Sequence, residues 1–142
     1  MGWGDAGWDQ RSKGLFAYVS CERRVPRDHP LRRILPLVDI ALGDLSPQFA
    51  QLYARIGRPS IPPEKLLRAL LLQAFYSVRS ERHLMEQLAY NPLFRWFVGL
   101  AIDDPVWDVT VFTKNRDGAP TTYFRILLAQ TGHCKGLGQS FR

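Results

Sequence analysis

Four acidic residues late in the chain, Asp103, Asp104, Asp108 and Asp117, are the first to weigh as chemistry, because paired carboxylates can hold a metal ion for phosphoryl transfer. Their settings point elsewhere. Asp103 and Asp104 precede Pro105 and read as a turn, and Asp108 stands where an N-cap would stand for the segment that follows. His29, His83 and His133 are scattered, with no second ligand at the i+3 or i+4 spacing of a helical metal site. Cys21 and Cys134 are too few and too far apart for a disulfide framework or a thiolate site. Gly-rich phosphate loops, G-x-S-x-G turns and Cys/His pairs are absent from the sequence. The expectation is therefore no catalytic residue, no metal and no cofactor.

The basic residues carry more. Lys and Arg exceed Asp and Glu by six, the calculated pI is about 9.7, and 15 of the 19 cations are Arg, the side chain suited to bidentate phosphate and guanine contacts. An Arg-rich genome would produce the same bias without a polyanionic partner. Arg23, Arg24, Arg27, Arg32 and Arg33 form a basic arm with two prolines, and Arg79 and Arg82 flank Ser80. Thr110, Thr113, Lys114, Asn115 and Arg116 then cluster in one short segment. If that segment is helical, Thr110, Thr113 and Lys114, with Asp117 following, share one face, and Val109, Phe112 and Arg116 lie on another, so one side can pack while the other meets a groove. A solvated face that touches nothing is the competing interpretation.

The elements that must position these residues are helical in pattern. Pro62 and Pro63 suit the first turn of a helix whose interior, from Leu66 to Val78, has too few polar residues for a surface position, so a central helix of about 17 residues is expected. It is too short and too interrupted to cross a membrane. Ahead of it, one helix is expected from Pro30 or Leu31 to Leu42, ending near Gly43, and a second from the Ser46-Pro47 start signal to Gly57. After it, Ser80 caps Glu81 to Tyr90, and Asn91-Pro92 opens an aromatic helix ending at Gly99. For Val109 to Asp117 the valines and threonines leave strand and helix both open. Residues 1–14 read as a flexible end, and residues 118–142 as a weakly ordered tail or a lone helix. No signal peptide is readable at the start, so a reducing cytoplasm is expected, with a nucleoid association for a chain bound to DNA.

Four ordered motifs, RVPRDHPLR (Arg24 to Arg32), GRPSIPPEKLLRALLLQ (Gly57 to Gln73), RSERHLMEQLAYNPLFRWFVGL (Arg79 to Leu100) and DDPVWDVTVFTKNRD (Asp103 to Asp117), together resemble the N-terminal domain of InsH-like insertion-sequence transposases of the DDE type. The resemblance runs over residues 15–117. It implies an all-α fold, a compact bundle of five or six helices with a helix-turn-helix-like part, and a helix at Val109 to Asp117. It also implies binding to double-stranded DNA at the element's terminal inverted repeats. Phosphate contacts are then expected from Arg23, Arg24, Arg27, Arg32, Arg33, Arg79, Arg82 and Lys114, and base contacts from Thr110, Thr113, Asn115 and Arg116. The family continues into an RNase H-like catalytic domain, which the 25 residues after Asp117 do not resemble, so a fragment without cleavage chemistry is expected. A module that dimerises through its aromatic helix Pro92 to Val98, or inhibits full-length transposase, is the alternative, and a remnant without function a third.

Overall fold

The computed structural model describes residues 19–57 and 59–132. Among them are seven helices and no strand: α1 (Cys21–Arg24), α2 (Leu31–Ile56), α3 (Pro63–Phe75), α4 (Glu81–Tyr90), α5 (Pro92–Val98), α6 (Val109–Gly118) and α7 (Thr121–Gly132). The expected all-α class is what is found. The flexible end expected at residues 1–14 lies outside the described residues, as do residues 133–142 of the tail.

Two buried helices organise the rest. α3 meets α2, α5, α6 and α7, with Leu66, Leu67, Ala69, Leu71 and Leu72 buried around its girth, which accounts for its lack of a polar face. α5 meets α1, α3 and α4. Its Phe94, Phe97 and Val98 are buried, so the aromatic stretch that could have formed a dimer surface is instead part of the core.

Local capping explains most boundaries. Ser80 accepts the His83 amide at 3.1 Å, Asn91 accepts those of Leu93 and Phe94 at 3.0 and 3.4 Å, and Asp108 accepts that of Thr110 at 2.8 Å. Gly99, at φ 90°, closes α5 in the left-handed region. With Asp108 in place as a cap, Val109–Gly118 is helix, and Phe112 on its inner face is fully buried.

Two boundaries differ from expectation. The helices expected before and after Gly43 are one 26-residue helix that runs through Pro36 and Pro47. An internal proline costs about 3 kcal/mol. Against that stands an unbroken buried stripe of Leu31, Ile34, Val38, Ala41, Leu42, Leu45 and Phe49, where the larger side chains contribute roughly 1.5–3 kcal/mol each. Both prolines are exposed, so water can reach the backbone on their side of the helix. α3, in turn, stops at Phe75 and not at Val78. Ser77 adopts φ 51°, its N–H donates to Ala74 at 3.4 Å and that of Val78 to Gln73 at 3.0 Å, a Schellman-type reversal with serine where glycine is usual. Val78 packs on the core and holds that turn.

Residues 121–132 form α7, which packs along α2. Leu127 is buried, and the Tyr123 ring meets Phe49 edge to face at 5.1 Å. No helix among the described residues is long and apolar enough to cross a membrane.

Candidate nucleic-acid interface

The candidate residues fall into two groups, each built around one carboxylate. In the first, Glu22 of α1 joins that helix to the start of α2. Arg32 donates to the Glu22 carboxylate at 2.5 Å, to the Glu22 carbonyl at 2.9 Å, to Val25 at 2.8 Å and to Pro26 at 2.9 Å. Its guanidinium lies 5.0 Å from the centre of the Trp96 ring, and the Trp96 indole N–H donates to Glu22. Arg32, then Trp96, hold the Glu22 carboxyl below the usual carboxylate range. Because Trp96 belongs to α5, this contact fastens the arm to the core. Beside it is an open cleft of about 530 Å³ lined by Glu22, Arg23, Val25, Arg27 and Arg32.

The same segment holds the start of α2. Pro30 offers no side-chain cap, and His29 Nδ1 accepts the Leu31 amide at 3.2 Å instead. Accepting that bond requires a neutral imidazole, and burial lowers the His29 pKa below its ordinary value, with Arg32 acting in the same direction and Asp28 against it.

The second group lies where α4 meets α6. Glu81, in the first turn of α4, takes both the Thr113 hydroxyl and the Arg116 guanidinium. Thr113 also donates to the Val109 carbonyl at 2.9 Å, and Arg116 to Asp117 at 2.8 and 3.1 Å. Thr110 donates its hydroxyl to Asp108, which is the largest cause of the lowered Asp108 pKa; the positive charge of Arg82 acts in the same direction. The start of α4 and one side of α6 therefore share one surface, on which Thr113 and Arg116, expected on different faces, meet the same carboxylate. Asn115 turns away from it: its amide donates to Ser60 at 2.9 Å and Val111 at 2.8 Å, and its oxygen accepts the Ile61 N–H at 3.3 Å. Lys114 and Asn115 border a groove of about 240 Å³ toward the end of α2 and the start of α3.

The residues singled out in the sequence thus divide by occupancy. The side chains of Arg23, Arg24, Arg27, Arg33, Arg79, Arg82 and Lys114 are exposed and make no hydrogen bond or ion pair among the described residues. Arg32, Thr110, Thr113, Asn115 and Arg116 all have hydrogen bonds within the fold. Three of the four acids weighed above are engaged as well. Asp104 accepts the Ala101 amide at 2.8 Å, and Asp108 and Asp117 are held as described. No group of three or more His, Cys, Asp or Glu able to hold a metal occurs among the described residues.

Sequence reasoning missed Arg95. Only 3% exposed, it donates to the carbonyls of Leu88 at 2.7 Å, Ala89 at 3.4 Å, Ala101 at 2.7 and 3.0 Å, and Asp104. It thereby satisfies the last carbonyls of α4, where the helix dipole favours a cation, and ties down the loop that leads to α6. The available signal was its place between Phe94 and Phe97 on the buried face of α5.

Residues 19–118 match the family model described as Transposase domain (DUF772). No curated protein and no solved structure matches the chain.

Proposed function

The chain belongs to the transposase-domain family (DUF772), which spans its residues 19–118, and from that relation we propose that it is a DNA-recognition module of an insertion sequence of the InsH-like kind, binding the duplex at the element's terminal repeats. The observation that carries the proposal is that seven of the candidate cations have exposed side chains without an ion pair among the described residues. A cation already neutralised by a carboxylate gains little from a phosphate, whereas a free one releases condensed counterions when it binds. Arg23, Arg24, Arg27 and Arg33 would meet phosphates along the arm, and Arg79, Arg82 and Lys114 would do so from the connector before α4, from α4 and from α6. Base reading is assigned to the shared surface of α4 and α6, a helix-turn-helix-like use of the fold, where Thr110, Thr113 and Arg116 would exchange an internal partner for a base edge. Asp104, Asp108 and Asp117 serve here as turn, cap and ion-pair partners, so strand cleavage is not assigned to them.

Fluorescence anisotropy of the purified chain with duplex from the element's ends, against a scrambled duplex and across a salt series, tests this. Tighter binding to the true ends is expected, with a slope of log affinity against log salt no steeper than about −6 for seven phosphate contacts. Equal affinity for both duplexes would sink specific recognition, and no binding to either would sink the DNA role altogether.

A further inference from the structure

α2 carries an apolar stripe that the other described residues do not cover. Leu37 is 38% exposed and Ile40 64% exposed, on a face different from the buried stripe of the same helix. Arg33 and Asp44 complete the stripe at either end; the spacing i, i+4, i+7, i+11 keeps all four residues in one narrow band. Both charged residues are exposed and neither has an ion pair among the described residues, whereas Asp39 between them donates no such freedom, since Arg68 binds it at 2.7 Å.

The order of these four residues is self-complementary. A two-fold axis midway between residues 38 and 39 sets Leu37 against the partner's Ile40 and Arg33 against the partner's Asp44, and both relations repeat on the other side of the axis, as a two-fold interface requires. A parallel pairing would set arginine against arginine and aspartate against aspartate. We infer that this stripe is an interaction surface for a second copy of the chain, with the two α2 helices antiparallel. Close approach is open to them. A Cβ built on Gly43, beside the stripe, would meet nothing within 4 Å, and the neighbouring Pro36 and Pro47 are compact. The stripe is only about 16 Å long. It falls short of the roughly 1,000 Å² of a stable interface, so the pairing is weak and reversible, with the end charges setting register more than affinity.

Sedimentation equilibrium of the full chain without DNA tests the pairing apart from the DNA-binding proposal, in which Arg33 also figures. A concentration-dependent dimer is expected. R33D and D44R each place like charges at both ends of the stripe and should weaken it by about tenfold or more. Mixing the two variants should restore association, because in the mixed pair both ends again carry opposite charges. I40R should abolish the dimer by removing the apolar centre, with thermal melting confirming that each variant is folded. A monomer at every concentration would overturn the inference, as would single variants that dimerise normally or a mixture that fails to recover.

Discussion

The arm around Glu22 and the surface around Glu81 follow the same plan at different depths. In each, one carboxylate takes one arginine and one further donor, Arg32 and the Trp96 indole in the arm, Arg116 and the Thr113 hydroxyl at α4 and α6. The side chain of Glu22 is 60% exposed and that of Glu81 only 12%. Water therefore competes for the first contact far more than for the second. The arm is seated on the core through Cys21 and Val25 but its carboxylate contact is open to water, whereas the α4–α6 contact is largely covered, so its polar side chains are already oriented.

The largest effect should come from removing what both regions lean on. α5 carries Trp96 to the arm and Arg95 to the end of α4. Arg95→Met would leave the carbonyls of Leu88, Ala101 and Asp104 without their donor in a buried setting and should cost about 3 kcal/mol, read as a fall in melting temperature. Affinity for DNA should fall for both regions together. If stability held, α5 would not be their common support.

Next in size is the contrast between the two carboxylates. Glu81→Ala frees Thr113 and Arg116 in a mostly covered position and should cost about 1–2 kcal/mol by thermal or urea denaturation. Glu22→Ala should leave the global transition almost unmoved while making the arm more open to proteolysis after Arg23 or Arg24. Equal losses in global stability would break the comparison.

Much of the fold was legible because its boundaries rest on local chemistry. Ser80, Asn91, Gly99 and Asp108 each act within four residues of themselves, and a sequence shows such neighbours directly. The continuity of α2 was not legible, since local proline and glycine signals were outweighed by a stripe whose partners lie on α3 and α7. The candidate interface divides in the same way. That its arginines and threonines are polar and clustered could be read; that Thr113 is bound to Glu81, Arg116 to the same carboxylate, and Asn115 to Ser60 could not, because those partners are distant in the chain.

A smaller effect separates free from occupied cations. Arg82→Gln or Arg79→Gln should each reduce the magnitude of the salt slope of DNA binding by about one unit, as the loss of one phosphate contact does. Arg116→Gln should change the slope by less, since Glu81 and Asp117 already balance that charge. A full unit lost with Arg116 would show that it leaves its internal partners on DNA, and the two surfaces would then differ in rigidity less than their burial suggests.

The smallest effect is a difference in pH response between the same two regions. His29 has its pKa lowered, chiefly by burial, so it contributes stability above the ordinary histidine value near 6.5 and loses it as pH falls through the lower value of the folded state. Protonation there removes the acceptor for the Leu31 amide, and the start of α2 loosens where the arm joins it. The corresponding contact at α6 is the Thr110 amide on Asp108, whose carboxyl is itself held below its usual range, so that contact persists until strongly acid conditions. An NMR titration should show the Leu31 amide moving with a midpoint below 6.5 while the Thr110 amide stays still. In His29→Ala the Leu31 transition should disappear. A Leu31 amide that did not titrate would mean that the imidazole is not its acceptor, and that the arm, like the α4–α6 surface, is held by groups that do not change charge near neutral pH.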